Sequence, residues 1–441
     1  MSEFLDRRAF LGNGLRLAVA LPSLAAAAPP PDGTSVPMAS AGTPAPASAA
    51  TSSPAVSAVP DATSFEPPSL HVAGQPFSNY GSPSAHERRV IRLIGANRDV
   101  PGNGVSWTPL EALEGIVTPA GLHFERHHNG VPQVDPGQFE FLLLGLVKRP
   151  LRFDLAALLR YPLISRLLFL ECGGNSNAGW HQEPIQKPVG SFHGLVSCSE
   201  WTGVPLRLLL EEAGIDPRAR WAVASGLDAA ATEVSVPLAK LMDDAMLALF
   251  QNGERLRPEN GYPLRLILPG WEGVTQIKWL QRLELSDQPA MTRNETAQYT
   301  ELMPDGRAHQ FSFVMAPKSL ITSPSHGMHL PGSGLYEVRG LAWSGHGTVS
   351  AVQVSDDGGR SWSAARLEPP LLPQCFTRFR AAWRWDGKPA VLQSRVVDST
   401  GKRQPSRDAL VAERGRNGYF HYHAIVSWAV DEEGRVSHVY P

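Results

Sequence analysis

The sequence predicts an α+β protein: a body of mixed helix and strand over residues 85–300, followed by a β-sandwich of immunoglobulin type over 301–441. Three observations lead there. Short apolar runs alternate with helix-like patterns in the first part. After about residue 310 several short strand candidates follow one another at roughly even spacing. The 441 residues also include 40 Gly and 39 Pro, which suits a loop-rich, strand-rich chain better than a helical bundle.

The front of the chain reads as an address and a tether. Arg7-Arg8-Ala-Phe-Leu11, a weakly apolar run to Leu24 and the small residues Ala25–Ala28 form the order of a twin-arginine export signal over 1–28. Such export carries folded proteins, and so hints at a cofactor inserted before export. Residues 29–84 are dominated by Pro, Ala, Ser and Thr, with no Lys or Arg between Arg16 and Arg88. Too few large apolar groups are present to offset ordering entropy, so a disordered tether is expected.

In the body, Phe139–Val147 and Leu167–Leu170 read as buried strands. Leu206–Ala213 and Leu238–Leu249 read as short helices. Tyr262–Leu268 reads as a strand that stops at the turn Pro269-Gly270. In the second part the strand candidates are Leu335–Trp343, Val349–Val354, Ser361–Arg366 and Val391–Val397. Asp356-Asp-Gly-Gly359 joins the second of these to the third as a hairpin.

Composition excludes several classes. Lys and Arg number 40 against 42 Asp and Glu, a net charge of −2, without the basic footprint of a nucleic-acid protein. No run of 18 apolar residues suggests a membrane-spanning helix. Three cysteines exclude a disulfide scaffold. No Cys-x-x-Cys-His occurs, so covalent c-type haem is not expected, and no nucleophile elbow, Cys-x-x-Cys or His-Glu-x-x-His is present. His127-His128 and His421-x-His423 are better read as structural than as metal-binding.

The chemistry centres on Cys172. It stands just after a buried strand, in Leu168-Phe-Leu-Glu-Cys-Gly-Gly-Asn-Ser-Asn177. The two glycines allow close backbone approach to a ligand. Taken alone, such a cysteine is a nucleophile, a soft metal ligand, an inert buried thiol or half of a disulfide with Cys198.

Glu171–Asn177, Cys198-Ser-Glu-Trp-Thr-Gly203, Gly261-Tyr-Pro-Leu-Arg265, Pro269-Gly-Trp-Glu-Gly273 and Ile277-Lys-Trp-Leu280 together resemble the sulfite oxidase family of molybdenum enzymes, nearest its sulfane dehydrogenase (SoxC) branch. The resemblance covers about residues 85–441. It implies a molybdopterin-binding catalytic domain at 85–300 and a dimerisation domain at 301–441, with Cys172 as the thiolate ligand of a molybdenum–molybdopterin cofactor. It leaves Cys198 as a nearby thiol and Cys375 without a role. It also implies cofactor contacts from Arg126, His127, His128, Ser235, Arg265 and Lys278. Asn260 stands where sulfite oxidases commonly have His.

On the substrate side the resemblance implies Trp201 in the pocket and an arginine, Arg380 or its neighbour Arg378, reaching in from the second domain. Asn177 replaces the family's arginine and Leu249 its tyrosine, with Tyr262 a partial substitute for the phenol. A less cationic pocket suits free sulfite poorly. The expected activity is therefore a periplasmic sulfane dehydrogenase of thiosulfate oxidation. Its substrate would be sulfane sulfur bound to a sulfur-carrier protein, and its electrons would pass to a c-type cytochrome subunit. A sulfite:cytochrome c dehydrogenase and a non-catalytic exported binding module are the alternatives.

Overall fold

The computed structural model describes residues 72–74, 76–310, 312–416 and 418–441. The expected export signal and most of the expected tether lie outside the described residues. The chain divides into two compact units, residues 1–85 and 86–441. The described residues of the first unit are exposed and carry no strand or α-helix. All that follows concerns the second unit, which is mixed and strand-rich with few helices, the predicted class.

Its first half is built on two five-stranded sheets. In one, Val196–Pro205 lies between Ile164–Glu171 and Met246–Gln251, all antiparallel, and Arg265–Ile267 also pairs with Met246–Gln251. In the other, Leu280–Ser286 is central, parallel to Phe141–Gly145 and antiparallel to Trp221–Gly226. Helix Leu206–Ala213 buries Leu206, Leu209, Leu210 and Ala213, the i, i+3, i+4 stripe that made it legible in the sequence. A three-stranded antiparallel sheet, Leu93–Ala96, Gly104–Trp107 and Glu125–His127, borders this half.

One predicted helix is corrected. Only Leu238–Asp243 is helical; Met246–Gln251 is a central strand. Asp244 leaves helical geometry at φ −139°, and the apolar run after it is buried on both faces. A strand of that kind has no alternation and cannot be told from a buried helix by period.

The second half is a sandwich of a four-stranded and a five-stranded sheet. The predicted strands appear as Gly334–Trp343, Val349–Ser355 and Ala390–Asp398. The hairpin at Asp356–Gly359 is formed, with Gln353 paired to Ala364. The segment Ser361–Arg366 does not make one strand: Ser363–Ala364 joins the five-stranded sheet, and Arg366–Leu367 joins the four-stranded sheet. The sandwich core is continuous with the first half. Phe169, Val196 and Cys198 belong to the same buried cluster as Trp343, Cys375 and Phe376. The strand that leads to Cys172 is thus packed directly against the second half. No helix among the described residues is long and apolar enough to cross a membrane.

Candidate active site

Strand Ile164–Glu171 delivers Cys172 into a tight turn. The Cys172 amide donates to the Leu195 carbonyl at 2.9 Å, and the Asn175 amide donates to the Cys172 carbonyl at 2.9 Å. The Asn175 side chain accepts from Leu195 N at 3.1 Å and donates to Glu171 Oε1 at 2.9 Å. Gly173 is required by close approach, since a Cβ there would lie 1.9 Å from Glu272 Oε1. Burial pushes the Cys172 thiol up to about 11. A thiol held protonated in this way is a poor free nucleophile, which disfavours the nucleophilic reading of the residue.

Two cavities meet at Cys172, and their linings differ. The first is formed by strand Glu125–His127 with His128, the turn at Asn260, strand Arg265–Ile267 and the segment Gly273–Trp279. Arg126, His127, His128, Arg265 and Lys278, the expected cofactor contacts, all face it, together with Asn260. Lys278 Nζ donates to the carbonyls of Arg126 at 3.0 Å and Glu259 at 3.2 Å, and sits 2.8 Å from His127 Nδ1. Arg265 Nη1 donates to the Asn260 carbonyl at 3.0 Å, and its buried Nε has no partner. Asn260 itself donates to Gln251 Oε1 at 2.9 Å.

Among the described residues neither Arg265 nor Lys278 has a carboxylate at ion-pair distance. The Asp228 carboxylate on the cavity wall is occupied by Thr232 N and Oγ1. Burial holds Lys278 well below its ordinary value, Arg265 adding to the effect, and burial brings Arg265 itself down to about 9. Burial, then the Arg126 charge, lowers His128 to about 4. Buried cations without a counter-charge are costly, so this cavity is built for an anion. The phosphate and electron-rich dithiolene of a molybdopterin fit that donor set, with Cys172 at its edge as the soft ligand.

The second cavity, of about 640 Å³, opens on the other side of Cys172. Trp107, Phe192, Leu195, Tyr299, Tyr419 and Phe420 supply apolar and aromatic wall, and Asn177 also lines it. Arg126 is its one formally charged residue among the described residues.

Several expectations are corrected. Trp201 is fully buried and lines neither cavity; it lies beneath Arg265, whose guanidinium carbon is 5.3 Å from the indole centroid. Ser235 is also buried away from the first cavity, donating to Glu295 Oε2 at 3.0 Å and accepting from Ala290 N at 2.9 Å. Neither arginine of strand Thr377–Trp385 enters the site. Arg380 is held by Glu368, Glu337 and Glu114, and Arg378 donates to the carbonyls of Leu113 and Gly115. Residues two apart on a strand share a face, and this one is turned to the loop at 113–115.

Cys198 is not beside Cys172. It pairs across the ladder with Phe169, and its Sγ lies 3.5 Å from that of Cys375; all three cysteines are free. Leu249 is core, and Tyr262 lines neither cavity. The phenol that does border both cavities is Tyr299, 3.4 Å from His128 Nε2 and tilted on Phe420 with centroids 5.1 Å apart. Burial raises its ionisation well above the ordinary value, so it remains a donor.

Sequence reasoning missed Tyr299, Glu272 and the segment at Tyr419–His421. The signals available were the Pro269-Gly-Trp-Glu-Gly273 motif, which contains Glu272, and the His421-x-His423 pair. His421 Nε2 lies 3.1 Å from Glu272 Oε2, and His423 Nδ1 contacts the His421 carbonyl. Neither histidine pair forms a metal cluster with other ligands among the described residues.

Comparison with known proteins agrees with this geometry. Residues 128–294 match the oxidoreductase molybdopterin binding domain, and 310–427 the Mo-co oxidoreductase dimerisation domain. The crystal structure of the sulfane dehydrogenase SoxCD from Paracoccus pantotrophus superposes with a TM-score of 0.83 at 42% identity, covering 87% of this chain and 99% of that one. NADH nitrate reductase 2 of Phaseolus vulgaris is 32% identical over 358 residues, 73% of this chain and 38% of the other. The NADH nitrate reductase of Solanum lycopersicum is 32% identical over 331 residues, 67% of this chain and 35% of the other. The chain thus spans little more than a third of the length of these plant relatives. Two domain matches in the family's order, and a near-complete superposition on a solved member, place the chain in the sulfite oxidase family of molybdenum oxidoreductases, close to SoxC.

Proposed function

We propose that this molybdenum oxidoreductase is a sulfane dehydrogenase. It oxidises sulfane sulfur attached to a carrier-protein cysteine in thiosulfate oxidation, and it passes electrons to a separate c-type cytochrome. The observation that carries the reading is the cavity beyond Cys172. Its walls combine aromatic and apolar side chains with mostly neutral polar ones, and a neutral amide, Asn177, stands where a sulfite-binding arginine is expected. A free dianion is bound weakly by such a surface, whereas a sulfur borne on a polypeptide arm brings apolar contact and little local charge. The similarity to SoxCD supports the same reading.

The cofactor, when bound, supplies two-electron oxidation of sulfur with oxygen drawn from water. The chain's own residues orient and enclose. Cys172 is the sulfur ligand. Arg265, Lys278 and Arg126 would hold the anionic cofactor, Lys278 as a point charge and the arginines through their forked donors. Tyr299, tilted against Phe420 and near His128, keeps a phenolic donor at the junction of the two cavities. We place the enzyme in the periplasm after twin-arginine export, and as a dimer through the C-terminal domain that matches the family's dimerisation domain.

Steady-state turnover decides the substrate. The persulfidated carrier protein is expected to be oxidised with cytochrome c as acceptor, while free sulfite is a poor substrate. Efficient sulfite turnover would identify a sulfite:cytochrome c dehydrogenase instead.

A further inference from the structure

Two acidic residues flank Cys172 on neighbouring backbone segments, Glu171 and Glu272, which form a parallel bridge. Both belong to the molybdopterin-binding domain, and both are buried. Each meets a basic side chain from the dimerisation domain. Lys318, 1% exposed, places Nζ 3.1 Å from Glu171 Oε1. His421 places Nε2 3.1 Å from Glu272 Oε2.

The first pair is part of a hydrogen-bonded chain. Lysine has only donors, so Lys318 Nζ donates to Ser176 Oγ at 2.7 Å, and Ser176 Oγ in turn is hydrogen-bonded to His193 Nδ1 at 2.6 Å. Trp343, also from the second domain, donates to Glu171 Oε2 at 2.7 Å. Ser176 lines the substrate cavity and holds φ +65°.

The second pair grips the other side of the same turn. His421, at φ +54°, donates its amide to the Gly173 carbonyl at 2.8 Å. Glu272 Oε1 stands where a Cβ of residue 173 would go. Neither carboxylate oxygen of Glu272 has an aligned hydrogen-bond donor. A fully buried acid in that state depends on the group beside it, here the His421 imidazole. None of the four side chains lines either cavity, so none touches substrate or cofactor.

We propose that Lys318 and His421 are positioning residues of the catalytic centre, and that through Glu171–Lys318 and Glu272–His421 the dimerisation domain sets the geometry of the Cys172 turn. The proposal rests on Cys172 being the molybdenum ligand. Full molybdenum content in C172S would defeat that assignment, which is a separate result from those below.

The test compares K318M, H421N, E272Q and H421Q holoenzymes. Asparagine tolerates the left-handed backbone at 421 but is too short to reach Glu272, whereas glutamine restores the reach. The readouts are molybdenum per chain, the Mo(V) paramagnetic resonance spectrum after dithionite reduction, and the separate kcat and KM. The spectrum needs no sulfur substrate, so it is independent of the substrate reading. A shifted Mo(V) spectrum and kcat lowered about tenfold or more in K318M and H421N, with H421Q closer to wild type, is the expected result, because small misplacements near a reacting centre are costly. Wild-type spectra and kcat within about twofold, with only a lower melting temperature, would make the pairs merely structural and overturn the proposal. If K318M does not fold, H421N and E272Q decide by the same criteria.

Discussion

The two cavities on either side of Cys172 are opposites. One gathers Arg126, Arg265 and Lys278, with Arg265 buried and Lys278 partly buried and neither at ion-pair distance from a carboxylate among the described residues, and is suited to an anion. The other has aromatic walls, a neutral amide at Asn177, and Arg126 at the boundary as its formal charge. A single cysteine thus separates a site that binds through charge from a site that binds through shape. Charge on the cofactor side holds a group permanently. Its scarcity on the substrate side lets an uncharged or carrier-borne sulfur compete with small anions.

The contrast is most severely broken at the cysteine itself. C172S is expected to lose activity by at least about 10³-fold, about 4 kcal/mol of transition-state stabilisation. Metal analysis should find molybdenum lost along with it.

The cationic side is tested by K278M, whose effect changes sign with cofactor occupancy. In the loaded enzyme the variant retains cofactor less well. In the cofactor-free protein it is more stable than wild type, because a partly buried cation with no carboxylate at ion-pair distance has been removed. Lys278 titrates lower when folded than when unfolded, so over that interval the unfolded chain binds more protons. Wild-type stability therefore rises with pH toward the unfolded value near 10.5, and the advantage of K278M in thermal unfolding should shrink as pH is raised.

The neutral side is sharpened by N177R. A cation in the substrate cavity should lower KM for sulfite about tenfold, equivalent to about 1.4 kcal/mol. Turnover of the carrier-bound substrate should not improve. The smallest effect is expected from R380Q. Arg380 is tied to carboxylates of Glu368, Glu337 and Glu114 far from either cavity, so kcat and KM should be unchanged. Stability should fall by no more than about 1 kcal/mol, since these partners are largely exposed. A large fall in sulfur turnover in R380Q would reopen the expectation that this arginine reaches substrate.

Legibility in the sequence followed locality. Cys172, Arg126, His127, His128, Arg265 and Lys278 sit in compact motifs whose residue types already state their chemistry, and all of them line the first cavity. Helix Leu206–Ala213 and the longer sandwich strands were readable because one face is buried and periodicity reports it. Met246–Gln251 was misread because a strand buried on both faces has no alternation. Trp201 and Ser235 carry the right chemistry, but the ladder turns them into the core.

The sequence by itself determined the class of the chain, the cysteine at its centre and the cationic set for an anionic cofactor. Those depend on residue type within short segments. Only the tertiary structure decided which distant groups complete the site. Tyr299 borders Cys172 from 127 positions away in the sequence, and His421 and Lys318 clasp its turn from the second domain. It also decided that Cys198 faces Cys375 and that Arg378 and Arg380 face outward from the site. Long-range contacts of this kind are set by how the sheets pack and by strand register, and a one-residue change of register sends every side chain to the opposite face.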